Sequence, residues 1–164
     1  MADVVASVVN GVVVDHVDTD RVFACRARAG LFVMVMRGKG LGAHVPALSS
    51  VWNHDVLGAR LAYLLVIDPR SPRDVPDDGF RTGAAALLKK PHGDVVVGAA
   101  VVPVEGFVGA TVRGVLTGLS WMSGGTQQVF SSVEAAAAVI AAAGIDVAAD
   151  VVIADVEALR ARLG

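Results

Sequence analysis

The densest run of chemistry-bearing side chains in the sequence is "DPRSPRDVPDDGFR" (Asp68–Arg81), where carboxylates and guanidiniums alternate among prolines. Such a run can bind a charged partner, or its charges can compensate one another in a solvated loop. It follows the continuous apolar segment "LAYLLVID" (Leu61–Asp68) and precedes a helix-like pattern, so it belongs at the carboxyl end of a strand. That rim of a parallel sheet gathers helix amino-termini and is where α/β folds bind ligands. Asp68, Arg70, Arg73, Asp77, Asp78 and Arg81 are therefore the expected partner-binding residues.

Other chemistries find less support. The glycine-rich "RGKGLGAH" (Arg37–His44) contains no GxGxxG, and Lys39 is not followed by Ser or Thr, so it reads as a flexible loop and not as a phosphate cradle. His16, His44, His54 and His92 lie in separate segments without the i, i+4 or HExxH spacing that sets two imidazoles around one ion, and no metal site is expected. A G-x-S-x-G elbow is missing, and Cys25 sits within a strand-like segment with no base beside it, which points to a structural thiol. No catalytic residue and no cofactor are expected.

The elements that must position the charged run follow from patterning. At 164 residues the chain suits one core without disulfides or metals, and an apolar fraction of 54%, much of it Ala and Val, suits a tightly packed sheet with helices. A single cysteine forms no internal disulfide, and a net charge of −2 leaves no broad basic face for nucleic acid. The apolar stretch Val4–Val14 is interrupted by Ser7, Asn10 and Gly11, short of the roughly 18 residues of a membrane span. With no basic leader before it, a cytoplasmic protein is expected.

Val4–Val14, β-branched almost throughout, predicts one buried strand closing at Asp15. Val22–Ala27 and Leu31–Arg37 flank a short turn and predict a hairpin. Pro46–Leu57 predicts a short helix carrying Leu48 and Trp52 on one face, and Leu61–Asp68 a central strand covered on both faces. A helix from Asp77 or Asp78 to Lys90 has acids in its first turn and lysines in its last, matching the helix dipole, and Asp94–Val102 resumes the sheet.

Val108, Val112, Val115, Leu116 and Leu119 fall on one helical face. Gly109, Gly114 and Gly118 each cost that helix about 1 kcal/mol against alanine, which predicts a neighbouring backbone close by. Trp121 is expected to close the core beneath the following turn. Thr126–Phe130 predicts a short strand, and Ser131 with Glu134 a capping box opening a helix that ends before Gly144. Ala148–Leu163 carries Val152, Val156, Leu159 and Leu163 along one stripe, to dock on the body or on a second copy. Alternating strands and helices from Leu61 onward predict parallel crossovers, and the hairpin makes the sheet mixed.

The segments "LAYLLVIDPRSPRDVPDDGFRTGAAALL", "VEGFVGATVRGVLTGLSW" and "QQVFSSVEAAAAVI" resemble the STAS-like superfamily, more narrowly its SpoIIAA-like (STAS/SEC14) group, over about Val4 to Ala143. The resemblance implies a bacterial α/β domain, a mixed sheet with helices mainly on one face, and a regulatory role. In anti-sigma-factor antagonists of that superfamily, a Ser or Thr before a Gly at a helix amino-terminus is phosphorylated, which places a doubly charged group where a partner packs. Here Asp78 stands before Gly79, and it reads as a helix cap accepting backbone N–H groups.

The expected organisation is thus a domain over residues 1–144 and an amphipathic helix over 145–164. The expected function is a non-enzymatic regulatory or protein-interaction module, binding another protein or itself as a homo-oligomer. The alternative is a carrier or sensor of a small apolar, lipid-like ligand held between sheet and helices.

Overall fold

A computed structural model describes residues 5–8, 11–89, 93–103, 106, 109–114 and 127–164. The amino-terminal apolar run is two strands and not one. Gly11, at φ +110°, turns the chain between β1 (Val5–Val8) and β2 (Val12–Val17), which pair antiparallel. β3 (Phe23–Arg28) and β4 (Leu31–Met36) form the expected hairpin. After them come α1 (Val45–Trp52), β5 (Arg60–Ile67), α2 (Asp78–Lys89) and β6 (Asp94–Val101). The chain ends with β7 (Gln127–Phe130), α3 (Val133–Ala141) and α4 (Ala149–Leu163).

The fold is α/β on a mixed seven-stranded sheet whose spatial order equals the chain order. β1 to β4 pair antiparallel, and β4 to β7 pair parallel. Each parallel crossover advances by one strand in the same direction, and right-handed crossovers of that kind all fall on one face. α1, α2 and the helical residues 109–114 accordingly contribute Trp52, Phe80 and Val112 to a single core with Phe32, Met34 and Tyr63.

The crossover helices share one face, as expected for most of the helices, and the last two cover the other. β4 is buried along its whole length, so its second face also needs a cover. Once β7 completes the sheet, the chain turns back beneath it: α3 packs on β5, β6 and β7, and α4 on β3 and β4. Val152, Val156, Leu159 and Leu163 of α4 join Val33, Val35, Leu64 and Val66 in a second core, so the last helix docks on its own sheet.

Two helix caps differ by one residue from the sequence reading. Ser132, and not Ser131, caps α3, its hydroxyl accepting from the Ala135 N–H at 3.2 Å. Asp77, and not Asp78, caps α2, its Oδ1 accepting from the Phe80 N–H at 2.7 Å. Gly114 has no described atom within 4 Å of where a Cβ would stand, so no close backbone among the described residues explains it; Gly118 and Trp121 lie outside the described residues.

Candidate functional site

The charged run does lie at the carboxyl end of β5, but its members have separate duties. Asp68 takes a two-pronged ion pair from Arg160 of α4, at 2.8 and 3.2 Å. Arg70 donates through one guanidinium nitrogen to the carbonyls of Leu163 and Gly164, at 3.2 and 3.3 Å. Asp74 folds the loop by accepting from the Arg70 and Ser71 N–H groups at 2.9 and 2.8 Å. This end of the run therefore secures the last helix to the sheet.

The other end faces outward. Arg73, Asp77, Asp78 and Arg81 line a shallow open depression together with Lys39, Val75 and Pro76. Asp77 is occupied as the cap of α2, and its own N–H donates to the Gly40 carbonyl at 2.9 Å. Gly79 brings α2 against the glycine-rich loop: a Cβ there would stand 3.2 Å from the Gly42 Cα. The side chain of Asp78, 89% exposed, pairs with Arg81 one helical turn on. No ion pair or side-chain hydrogen bond engages the Lys39 ammonium or the Arg73 guanidinium among the described residues.

Beneath Pro76 is a cavity of about 50 Å³ between the sheet and the crossover helices. Its floor is Phe32, Met34 and Met36 of β4 with Leu65 and Ile67 of β5, alternate residues that strand geometry turns to one face. Its roof is Phe80, Ala84, Leu87 and Leu88 of α2, which recur at helical spacing. Leu48 and Trp52 of α1 close one end, and Val112 also lines it.

Every lining residue is apolar. The one side-chain nitrogen among them, Trp52 Nε1, is turned to the Leu87 carbonyl at 3.1 Å, while the indole packs edge-on against Phe32 and Tyr63. Burial pushes the neighbouring Tyr63 phenol up to about 12, and its hydroxyl donates to Gln127 Oε1 at 3.1 Å, so it stays neutral and engaged.

No family model, curated protein or solved structure matches the chain.

The remaining polar groups are built into the scaffold. Asp15 holds Arg26 in a two-pronged pair, both contacts at 2.7 Å, and Arg162 at 3.0 Å. Asp155, 2% exposed on the buried stripe of α4, takes Arg26 and Arg28, each at 2.8 Å. The hydrogen bonds Arg26 donates to Asp15 raise its pKa above the ordinary value, against the opposing effect of burial. Burial, reinforced by Asp15, likewise raises the Cys25 thiol pKa, which leaves no thiolate for nucleophilic work.

His16 is buried against Phe23, His44 Nδ1 accepts from the Leu41 N–H, and His54 Nδ1 from the Val56 N–H; His92 lies outside the described residues. No group of three or more metal-ligating side chains converges among the described residues, and no helix there is long and apolar enough to cross a membrane.

Sequence reasoning located the rim and held out, as its alternative, a ligand between sheet and helices, but it missed Lys39 as the rim's neighbour and the residues that wall the cavity. The alternation of Phe32, Met34 and Met36 and the period of Phe80, Ala84, Leu87 and Leu88 identify the walls, and only the three-dimensional closure shows a space between them.

Proposed function

We propose that the protein is a non-enzymatic binding module that takes up a small apolar ligand between its sheet and α2. One observation carries this reading: a space whose walls, among the described residues, offer no free hydrogen-bonding side chain and are framed by aromatic and methionine side chains. Water gains nothing there, because an ordered water needs two or more polar partners. Dispersion contacts and release of apolar surface favour a hydrocarbon. Methionines beside aromatics adapt to guests of differing shape.

Trp52 lines the space and serves as the reporter. In a Trp121→Phe variant it is the only tryptophan left of two. Titration with 1-butanol is expected to shift its emission saturably and to raise the melting temperature. Absence of both responses across a series of neutral alcohols and alkylbenzenes overturns the reading.

A second reading, the regulatory or self-associating module implied by the STAS-like resemblance, is favoured by the outward Asp78–Arg81 pair and the exposed Arg73. It gives docking to the Arg73–Arg81 end of the run, since Asp68 and Arg70 already hold α4. Light scattering over a concentration series, with Arg73→Glu for comparison, tests its self-associating form. A strict monomer at high concentration overturns that form.

A further inference from the structure

We propose that the ligand is a volatile, uncharged molecule of about three to five heavy atoms, and that Ala84 sets this size limit. The inference rests on the apolar-ligand reading above and adds the size and class of the guest.

Two observations place an unfilled space over the middle of β5. The cavity holds about 50 Å³, which at roughly 10 to 15 Å³ for each water-sized group is room for roughly three to five of them. Leu65 shows the same space from the sheet: between Leu61 and Ile67 it is the one residue of β5 that is not buried, although β4 and β6 pair on either side of it.

The roof shows why the space is there. On α2, Phe80 and Leu88 stand one helical turn before and after Ala84 on the same face, and both line the cavity with it. Ala84 is the smallest of the lining side chains, so between two large neighbours its single methyl leaves the volume that a longer side chain would fill. The guest takes the place of the side chain that residue 84 lacks.

The same walls decide the class. A carboxylate or an ammonium group brought there would lose its water and meet neither a counter-charge nor a free hydrogen-bonding side chain among the described residues. What remains is a short hydrocarbon chain, bare or bearing one small uncharged group. Affinity climbs about fourfold for each methylene seated in the cavity and stops climbing once the space is full.

The test follows the 1-alkanols from ethanol to 1-octanol, with propionate as a charged molecule of butanol's size, at pH 8, by Trp52 fluorescence in the Trp121→Phe background and by calorimetry. With the natural lining, affinity is expected to rise about fourfold per methylene up to 1-butanol and to level off or fall beyond it, with propionate unbound. Ala84→Val adds two carbons to the roof and should bring the break down to ethanol, so that the rise disappears. Leu88→Ala removes three and should carry the break past 1-hexanol. A rise that continues unbroken to 1-octanol, or a break that stays at 1-butanol in both variants, overturns the size limit and its assignment to Ala84 while leaving the apolar-ligand reading in place. Propionate binding as tight as that of 1-butanol overturns the uncharged class. No response to any of the alcohols overturns this inference and the apolar-ligand reading together.

Discussion

Ala84→Leu puts the cavity itself to the test. Ala84 is in the roof of the space, on the face of α2 that also presents Phe80, Leu87 and Leu88. Three added carbons, fully buried, stabilise by about 2.4 kcal/mol at about 0.8 each. Fixing the leucine rotamer costs about 0.5 to 1 kcal/mol of side-chain entropy. The helix-propensity difference between alanine and leucine is smaller still. The expected net gain is about 1.5 kcal/mol, which for a chain of this size raises the melting temperature by roughly 3 to 6 °C.

Urea denaturation and scanning calorimetry measure that gain, and butanol titration of the same variant must show weakened binding, because guest and side chain compete for one volume. If the space is already filled, the added carbons overpack the core at a cost of about 1 to 3 kcal/mol. A lower melting temperature therefore refutes the cavity. A higher one with undiminished butanol binding refutes its role as the ligand site.

Four further outcomes follow from the scaffold. Asp155→Ala strips Arg28 of its carboxylate and half-strips Arg26, whose side chains are only 18% and 14% exposed; the urea midpoint should report a loss of about 3 kcal/mol. Joint replacement Asp155→Leu with Arg28→Met should recover most of it, and failure to recover would show that the pair itself stabilises the fold.

Burial lowers the His16 imidazole pKa, with Asp18 opposing and Arg162 assisting, so the unfolded chain takes up that proton first. Stability is complete above about pH 6.5 and falls as the pH drops toward the folded value. His16→Leu should flatten that acid limb, and an unchanged slope between pH 7 and pH 5 refutes the assignment. Cys25 should resist a thiol reagent in native buffer and react at once in denaturant, since it is wholly buried. Arg160→Gln should cost about 1 to 2 kcal/mol by leaving Asp68 without its charged donors, read as an earlier urea midpoint.

How far these features were legible in the sequence depends on how local their causes are. β5, α2 and α4 follow from apolar runs and helical stripes whose period survives any context. The one-residue displacements at Ser132 and Asp77 have a local cause of a different kind. In "SS" and "DD" both neighbours carry a capping oxygen, and the choice depends on which helix start buries Val133 or Phe80, not on the cap chemistry. The split of β1 from β2 was masked because Gly11 interrupts a run of valines that satisfies strand preference on either side of it.

The site was legible only in part, because half of the rim answers to a helix 92 residues away. Read locally, Asp68 and Arg70 are as available as Arg73 and Arg81. Yet a sheet apolar on both faces obliges the chain to return beneath it once β7 is placed, and the helix that does so ends under the β5 rim. Its own charge, Arg160, and its terminal carbonyls, which lack helical partners, then need counterparts, and Asp68 and Arg70 are what the rim supplies. Covering the second face thus removes one acid and one base from the outer surface. On the first face the crossover helices span a gap above Met34 and Leu65 that their side chains do not fill. The same topology that closes one face with α4 leaves the proposed ligand space on the other.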